Sequence, residues 1–361
     1  MGVESLRGRL LSINSNADFI KKLYFCLCKV VFYMPLLRTH THQPPRWLPN
    51  GHYQSIYPAL FRKVKPPYQR ERVTTPDDDF LDIDWSYGFT APTTLSKPPL
   101  VILSHGLEGS STRQYITGMV RLLNQQGYDC LAWNYRSCSG EINRQLRFYH
   151  SGETTDLDFV VKCAIAKGYT EISLMGFSLG GNVTLKYVGE RGTTLPKEIY
   201  KVAVFSVPMD LLGCSRNIEK PENKIYLWRF LQTLKPKIEA KAGQYPDRFD
   251  TSQWKKVKTF WDFDHIYTGP LHGFEGANEY YQRCSSKYFV DGITVPTLIV
   301  NAENDPLVPY QSLPSKTISD MPNVWLELTQ QGGHCGFRPR NFVHKGAYWS
   351  EVRALEFLQK I

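Results

Sequence analysis

Long apolar runs are scarce in this 361-residue chain. The first, residues 23–37, is shorter than the roughly 20 residues a bilayer-spanning helix needs, and Lys29 interrupts it. No small-residue cleavage site follows, so a secretory signal is not expected. The start, Met1-Gly2-Val3-Glu4-Ser5-Leu6, lacks the Ser or Thr at position 6 that N-myristoylation favours. Eight cysteines are present, but no Cys-x-x-Cys pair and no Cys/His cluster with zinc-ligand spacing. Cys26 and Cys28 are too close to bridge on one helix, and several others sit in apolar runs where a free thiol packs as a small hydrophobe. Free thiols in a reducing, cytoplasmic setting are therefore expected. Lys plus Arg number 43 against 34 Asp plus Glu, a formal charge of +9, yet no block of Lys and Arg reaches nucleic-acid-binding density. Internal repeats are also missing.

The 42% hydrophobic and 21% charged composition is that of a folded globular chain. Its basic excess suits a solvated surface, or attraction to anionic lipid or acidic substrates. In residues 19–37, Lys22 and Lys29 share one helical face and Phe19, Leu23, Leu27 and Val30 lie mostly elsewhere. Such an amphipathic segment either rests in a membrane interface or packs on the protein's own body. Residues 39–69 are rich in Pro, His and aromatics and are expected to be irregular, making residues 1–69 an N-terminal extension.

From residue 70 to 361 strands and helices alternate. Short apolar runs at 100–104, 130–134, 172–177, 202–207, 297–301 and 324–328 suit strands covered on both faces. Helical patterns occupy 112–126, 156–166, with Thr154 or Thr155 near the N-cap, 180–190 and 348–359. Residues 72–75 and 81–86 read as a hairpin. The fold class is α/β: a mostly parallel central sheet with helices on both faces. Residues 209–288 break the rhythm. They lack an apolar strand and carry Trp228, Trp254, Trp261, Phe260, Phe263 and Tyr267, which points to a helical lid with an apolar pocket beneath it.

Gly176-Phe-Ser178-Leu-Gly180 sits between a predicted strand and a predicted helix. A serine there is held on a strained strand-to-helix turn with its hydroxyl exposed, so Ser178 is the candidate nucleophile. Its partners should follow in the order acid, then histidine. Asp305 ends an apolar strand in a turn stiffened by Pro306, with Glu303 as the nearby alternative. His334 follows the next strand, after Gly332 and Gly333. An oxyanion needs donors, and the backbone N–H groups of Leu107, in the turn after the strand at 100–104, and of Leu179, just past Ser178, are the candidates. His105 reads as a structural residue and Cys335 as packing. Chemistry of this kind needs neither metal nor organic cofactor.

With these pieces the sequence resembles the α/β-hydrolase superfamily. It is most similar to the YheT-like group of bacterial esterases and eukaryotic ABHD-type lipid esterases. The group-like segments lie at 49–58, 104–109, 134–140, 149–153, 176–182, 267–274 and 304–306. The resemblance implies a Ser178–Asp305–His334 charge relay and hydrolysis of carboxylic esters, often medium-chain or glycerol-linked. It also implies an α/β-hydrolase domain with the lid inserted. Some relatives transfer the acyl group to an alcohol with the same residues, and eukaryotic relatives carry an N-terminal membrane anchor. A non-catalytic binding protein on this fold is the remote alternative. A small-molecule ester or lipid is the expected partner, with no nucleic acid.

Overall fold

The computed structural model describes residues 36–39, 41–89 and 97–360. Nine strands form one sheet: β1 (Leu36–Thr39), β2 (Gln69–Thr74), β3 (Phe80–Ser86), β4 (Leu100–Ser104), β5 (Asp129–Trp133), β6 (Ile172–Phe177), β7 (Ile199–Phe205), β8 (Thr297–Ala302) and β9 (Val324–Thr329). Their order is β1-β9-β8-β7-β6-β4-β5-β3-β2. The β2–β3 and β3–β5 pairs are antiparallel and every other pair is parallel.

The central parallel strands are buried on both faces and mainly apolar, with single polar residues such as Asp129, Lys201, Asn301 and Glu327 among them. Alternation along β4 sorts its side chains between two layers. Leu100 and Ile102 join one cluster with Leu157, Val160 and Val161 of α3 (Thr155–Ala166) and Val183 and Val188 of α4 (Leu179–Arg191). Val101 and Leu103 join the other, with Ile116 and Met119 of α2 (Gln114–Gln125) and Leu355 and Phe357 of α8 (Trp349–Lys360).

Two local expectations are corrected. Residues 39–69 are not all irregular: α1 (Gly51–Phe61) lies among them. Its N-cap Asn50 accepts from the N–H groups of His52 and Tyr53 at 3.1 and 3.2 Å. Pro58 stands inside the helix, where it lacks a donor, yet the cap and the packing described below hold the turn. Second, Leu36 and Leu37, at the end of the segment read as amphipathic, are extended and pair with Leu326 and Glu327. The rest of that segment, with its membrane expectation, lies outside the described residues. Among the described residues no helix is long and apolar enough to cross a membrane. Thr154 is the N-cap residue of α3, as expected, although its hydroxyl makes no capping bond. The Glu153 carboxylate accepts from the Thr155 N–H at 3.0 Å instead, which suits the positive end of the helix.

Between β7 and β8 the chain is helical, as the aromatic-rich composition of 209–288 predicts. It contains α5 (Leu211–Ile218), α6 (Lys224–Gln244), short turns over Phe260–Phe263 and Asp264–Thr268, and α7 (Ala277–Cys284).

Candidate active site

Ser178, Asp305 and His334 follow β6, β8 and β9, at the carboxyl ends of parallel strands, where ligands collect in open α/β sheets. Ser178 has φ 54° and ψ −124°, a left-handed conformation that costs a non-glycine residue on the order of 1–3 kcal/mol. The surrounding structure holds it there. Its N–H donates to Phe205 O at 2.9 Å, and its carbonyl accepts from Gly181 and Asn182 in the first turn of α4. Gly180 is required by close approach: a Cβ there would stand 2.3 Å from Ser104 O. The turn thus lifts the hydroxyl out while the backbone stays pressed against β4.

His334 completes the line. Its Nε2 accepts from Ser178 Oγ at 2.8 Å, and its Nδ1–H donates to Asp305 Oδ2 at 2.8 Å. The other carboxylate oxygen of Asp305 accepts the N–H groups of Leu307 and Val308, at 2.8 and 3.1 Å. These bonds leave Asp305 no freedom to turn away, so the imidazole is held with its basic nitrogen toward the serine. The neighbouring Glu303 is held by its backbone N–H on Thr329 O, and the imidazole contact belongs to Asp305.

The two candidate oxyanion donors line the same cavity as Ser178. Neither the Leu107 N–H nor the Leu179 N–H has an acceptor among the described residues. The turn carrying Leu107 is close to the serine: a Cβ on Gly106 would lie 3.1 Å from Ser178 Cβ. Two side chains shape that turn. Tyr115 Oη accepts the Gly106 N–H at 3.1 Å, and Tyr149 Oη accepts the Glu108 N–H at 2.9 Å. His105 is fully buried and its pKa is lowered by burial to about 3, so it stays neutral. It donates from Nδ1 to Gly106 O at 2.8 Å and accepts the Tyr135 N–H on Nε2. That is a structural role. Cys335 is buried, and burial pushes its thiol well above the usual range, which leaves it protonated and unreactive.

The cavity offers about 1120 Å³ of space, part of it open to solvent, with walls of α5, α6 and the loops above the sheet. Of the aromatics that pointed to a pocket, Phe260, Phe263 and Tyr267 line it. Trp254 packs behind them on Phe263 and Tyr267, Trp261 stacks on His265, and Trp228 is exposed. Sequence alone could not sort these, because the lid has too little periodicity to say which way each ring points. Polar groups interrupt the apolar wall. Lys237 of α6 pairs with Glu108 at 2.8 Å beside the Leu107 turn, and Tyr149 Oη donates to the same carboxylate at 2.7 Å. No sequence motif points to this tie between the lid and the turn.

Asp264 is the other charged group on the wall. Burial pushes its carboxyl up to about 6, against hydrogen bonds from Thr268 and Tyr281 that pull it down. Between the ordinary carboxylate value near 3.8 and about 6, the folded protein holds a proton that the unfolded chain has released. Asp264 therefore favours the folded state most below about pH 4 and loses that contribution as pH rises to 6. Asp264→Asn removes the titration. The stability of this variant relative to wild type should rise between pH 4 and pH 7 by on the order of 2–3 kcal/mol, read from urea unfolding of both proteins. Curves that stay parallel across that range would assign the pH dependence elsewhere.

Comparison with known proteins agrees with this architecture. Residues 99–338 match the family described as alpha/beta hydrolase fold. The chain is 34% identical over 319 residues to "Putative esterase YheT" of Escherichia coli, covering 87% of this chain and 92% of that one. It is 29% identical to "Phospholipase ABHD3" of Homo sapiens, covering 87% and 78%, and 28% identical to "Monoacylglycerol lipase" of Saccharomyces cerevisiae, covering 79% and 62%. Among solved structures, an esterase of Pyrococcus furiosus matches with a TM-score of 0.53 at 18% identity, covering 90% of this chain and 96% of that one. This chain belongs to the α/β-hydrolase fold family, in its YheT and ABHD-type group.

Proposed function

We propose that this protein is a carboxylic ester hydrolase that works through an acyl-enzyme on Ser178, with substrates carrying a medium-length or glycerol-linked acyl group. The observation that carries this is the unbroken hydrogen-bonded line from Ser178 through His334 to Asp305, opening on a largely apolar cavity. His334 Nε2 takes the Ser178 proton as Oγ attacks the ester carbonyl carbon. The carbonyl oxygen becomes an oxyanion facing the N–H groups of Leu107 and Leu179, and the partial positive charge at the start of α4 favours it. The imidazolium, balanced by Asp305, gives its proton to the departing alcohol. Water then enters, loses a proton to His334 and attacks the acyl carbon. The acid leaves, Ser178 recovers its proton from His334, and the cycle closes with one water consumed for each ester cleaved.

Relatives named esterase, phospholipase and monoacylglycerol lipase support an ester substrate with a fatty acyl chain. The cavity suits such a chain. Leu234, Ile238, Phe263, Tyr267 and Leu271 form an apolar wall beyond the serine. The test is turnover of p-nitrophenyl esters from acetyl to palmitoyl. Activity should pass through a maximum at an intermediate chain length. Ile238→Trp, which fills the wall, should lower kcat/KM for the best chain by about 10–100-fold and leave acetyl ester within a few-fold, since a hydrophobic pocket discriminates by roughly 1–3 kcal/mol per methylene. Equal losses on all chain lengths would place the acyl chain elsewhere.

A further inference from the structure

Helix α1 precedes the nucleophile by more than a hundred residues, yet its inner face touches the loops that carry both the acid and the base. Ser55 Oγ accepts the backbone N–H of His334 at 2.7 Å and donates to Gly51 O at 2.6 Å. Gln54 Oε1 accepts the Gly332 N–H at 2.8 Å and the Asn304 side-chain amide at 3.0 Å. Its Nε2 donates to Gln331 Oε1 at 2.8 Å and to Leu48 O at 2.9 Å. Asn304, next to Asp305, bonds Gln331 through its amide nitrogen and accepts the Gly333 N–H at 3.0 Å. Close approach backs these bonds: a Cβ on Gly51 would overlap Asn304 O at 1.8 Å. Gln54 and Ser55 are both buried.

We propose that Gln54 and Ser55 are positioning residues that hold the His334 loop against the Asp305 loop and so set the imidazole between acid and serine. The physical reason is the geometry of the two loops. The β9 turn passes through Gly332 at φ 155° and Gly333 at φ 61°, conformations that store no preference of their own for one path. Among the described residues, its successive N–H groups are met by side chains of other segments: Gln54 for Gly332, Asn304 for Gly333 and Ser55 for His334. The chain path that aims the imidazole is thus fixed from outside the loop. A drift of about 1 Å at a reacting group is enough to lose on the order of 100-fold in rate.

This proposal rests on His334 being the base, and the two fail separately. The experiment is a double-mutant cycle on the full chain, with p-nitrophenyl ester turnover, KM and thermal unfolding measured for each protein. Ser55→Ala should lower kcat by about 10–100-fold with KM changed by less than about twofold, because substrate binding does not use this contact. Ser55→Thr, which keeps the acceptor oxygen, should recover most of the rate. In a His334→Ala background, adding Ser55→Ala should cost less than about twofold, because the group being positioned is already gone. Gln54→Met repeats the cycle should Ser55→Ala not fold. A folded Ser55→Ala protein with wild-type kcat, or the same loss in both backgrounds, overturns the positioning role. Wild-type turnover by His334→Ala itself would instead overturn the base.

Discussion

Ser178→Ala is expected to lower kcat by on the order of 10⁴–10⁶ while leaving the fold intact. The size follows from what the hydroxyl does in the proposed mechanism. Without Oγ no acyl-enzyme forms, and the remaining machinery, the backbone donors and the binding cavity, supplies only the modest acceleration available to water attacking unaided. The fold should survive, because Ala has the same Cβ at the strained φ of 54° and the Ser178 backbone bonds to Phe205, Gly181 and Asn182 do not involve the side chain. Two measurements check it: ester turnover, and labelling by a fluorophosphonate probe, which reacts only with an activated serine. Wild type should label and the variant should not. Equal labelling of both would move the nucleophile to another residue.

Asp305→Asn is expected to cost about 10⁴ in kcat with little change in KM. The carboxylate accepts the Nδ1–H of His334 on Oδ2 and two backbone N–H groups on Oδ1. An asparagine keeps its carbonyl on those two amides and presents its NH₂ to the imidazole. The ring then holds its proton on Nε2, toward the serine, and cannot accept another there. The imidazolium also loses its counter-charge. Glu303→Gln, by contrast, should stay within a few-fold of wild type, since the imidazole bond is made by Asp305. The opposite ranking would make Glu303 the acid. A hydrogen-bond pattern read by the position of His334 Nδ1 protons in NMR would separate loss of tautomer from loss of fold.

Much of the sheet was legible in the residues themselves. A strand covered on both faces must be apolar throughout, and β4, β6 and β8 are short apolar runs bounded by turns, so their limits came out within a residue or two. The antiparallel β2–β3 pair announced itself through Pro76 and the aspartates at 77–79. The candidate nucleophile was legible for a related reason: the space around its turn excludes side chains, so glycine has to appear at 176 and 180. Helix α1 was not legible. Pro58 and the clustered His and Tyr residues argue locally against a helix, and what outweighs them is an N-cap plus packing on loops some 250–280 residues away in the chain. The N-cap of α3 was placed at Thr154, but that Glu153 would take the Thr155 N–H was not legible, because a carboxylate one residue before Thr154 competes with the threonine hydroxyls.

Composition, periodicity and turn chemistry by themselves determined the class of fold, the alternation of strands and helices from residue 70 onward, and the serine, carboxylate and histidine worth testing. Each of these follows from constraints that act within a few residues: which faces are covered, where a turn has no room for a side chain, where a strand must end. Tertiary structure alone decided the rest. It set the Asp305 carboxylate against the His334 ring, turned Phe260, Phe263 and Tyr267 into the cavity while leaving Trp228 outside, tied Lys237 to Glu108, and set Gln54 and Ser55 under the histidine loop. Those outcomes depend on distances between segments far apart in the chain. Such distances are fixed only when the whole sheet and its covering helices close, because one-letter patterns carry no information on which of several polar side chains will find its partner across that gap.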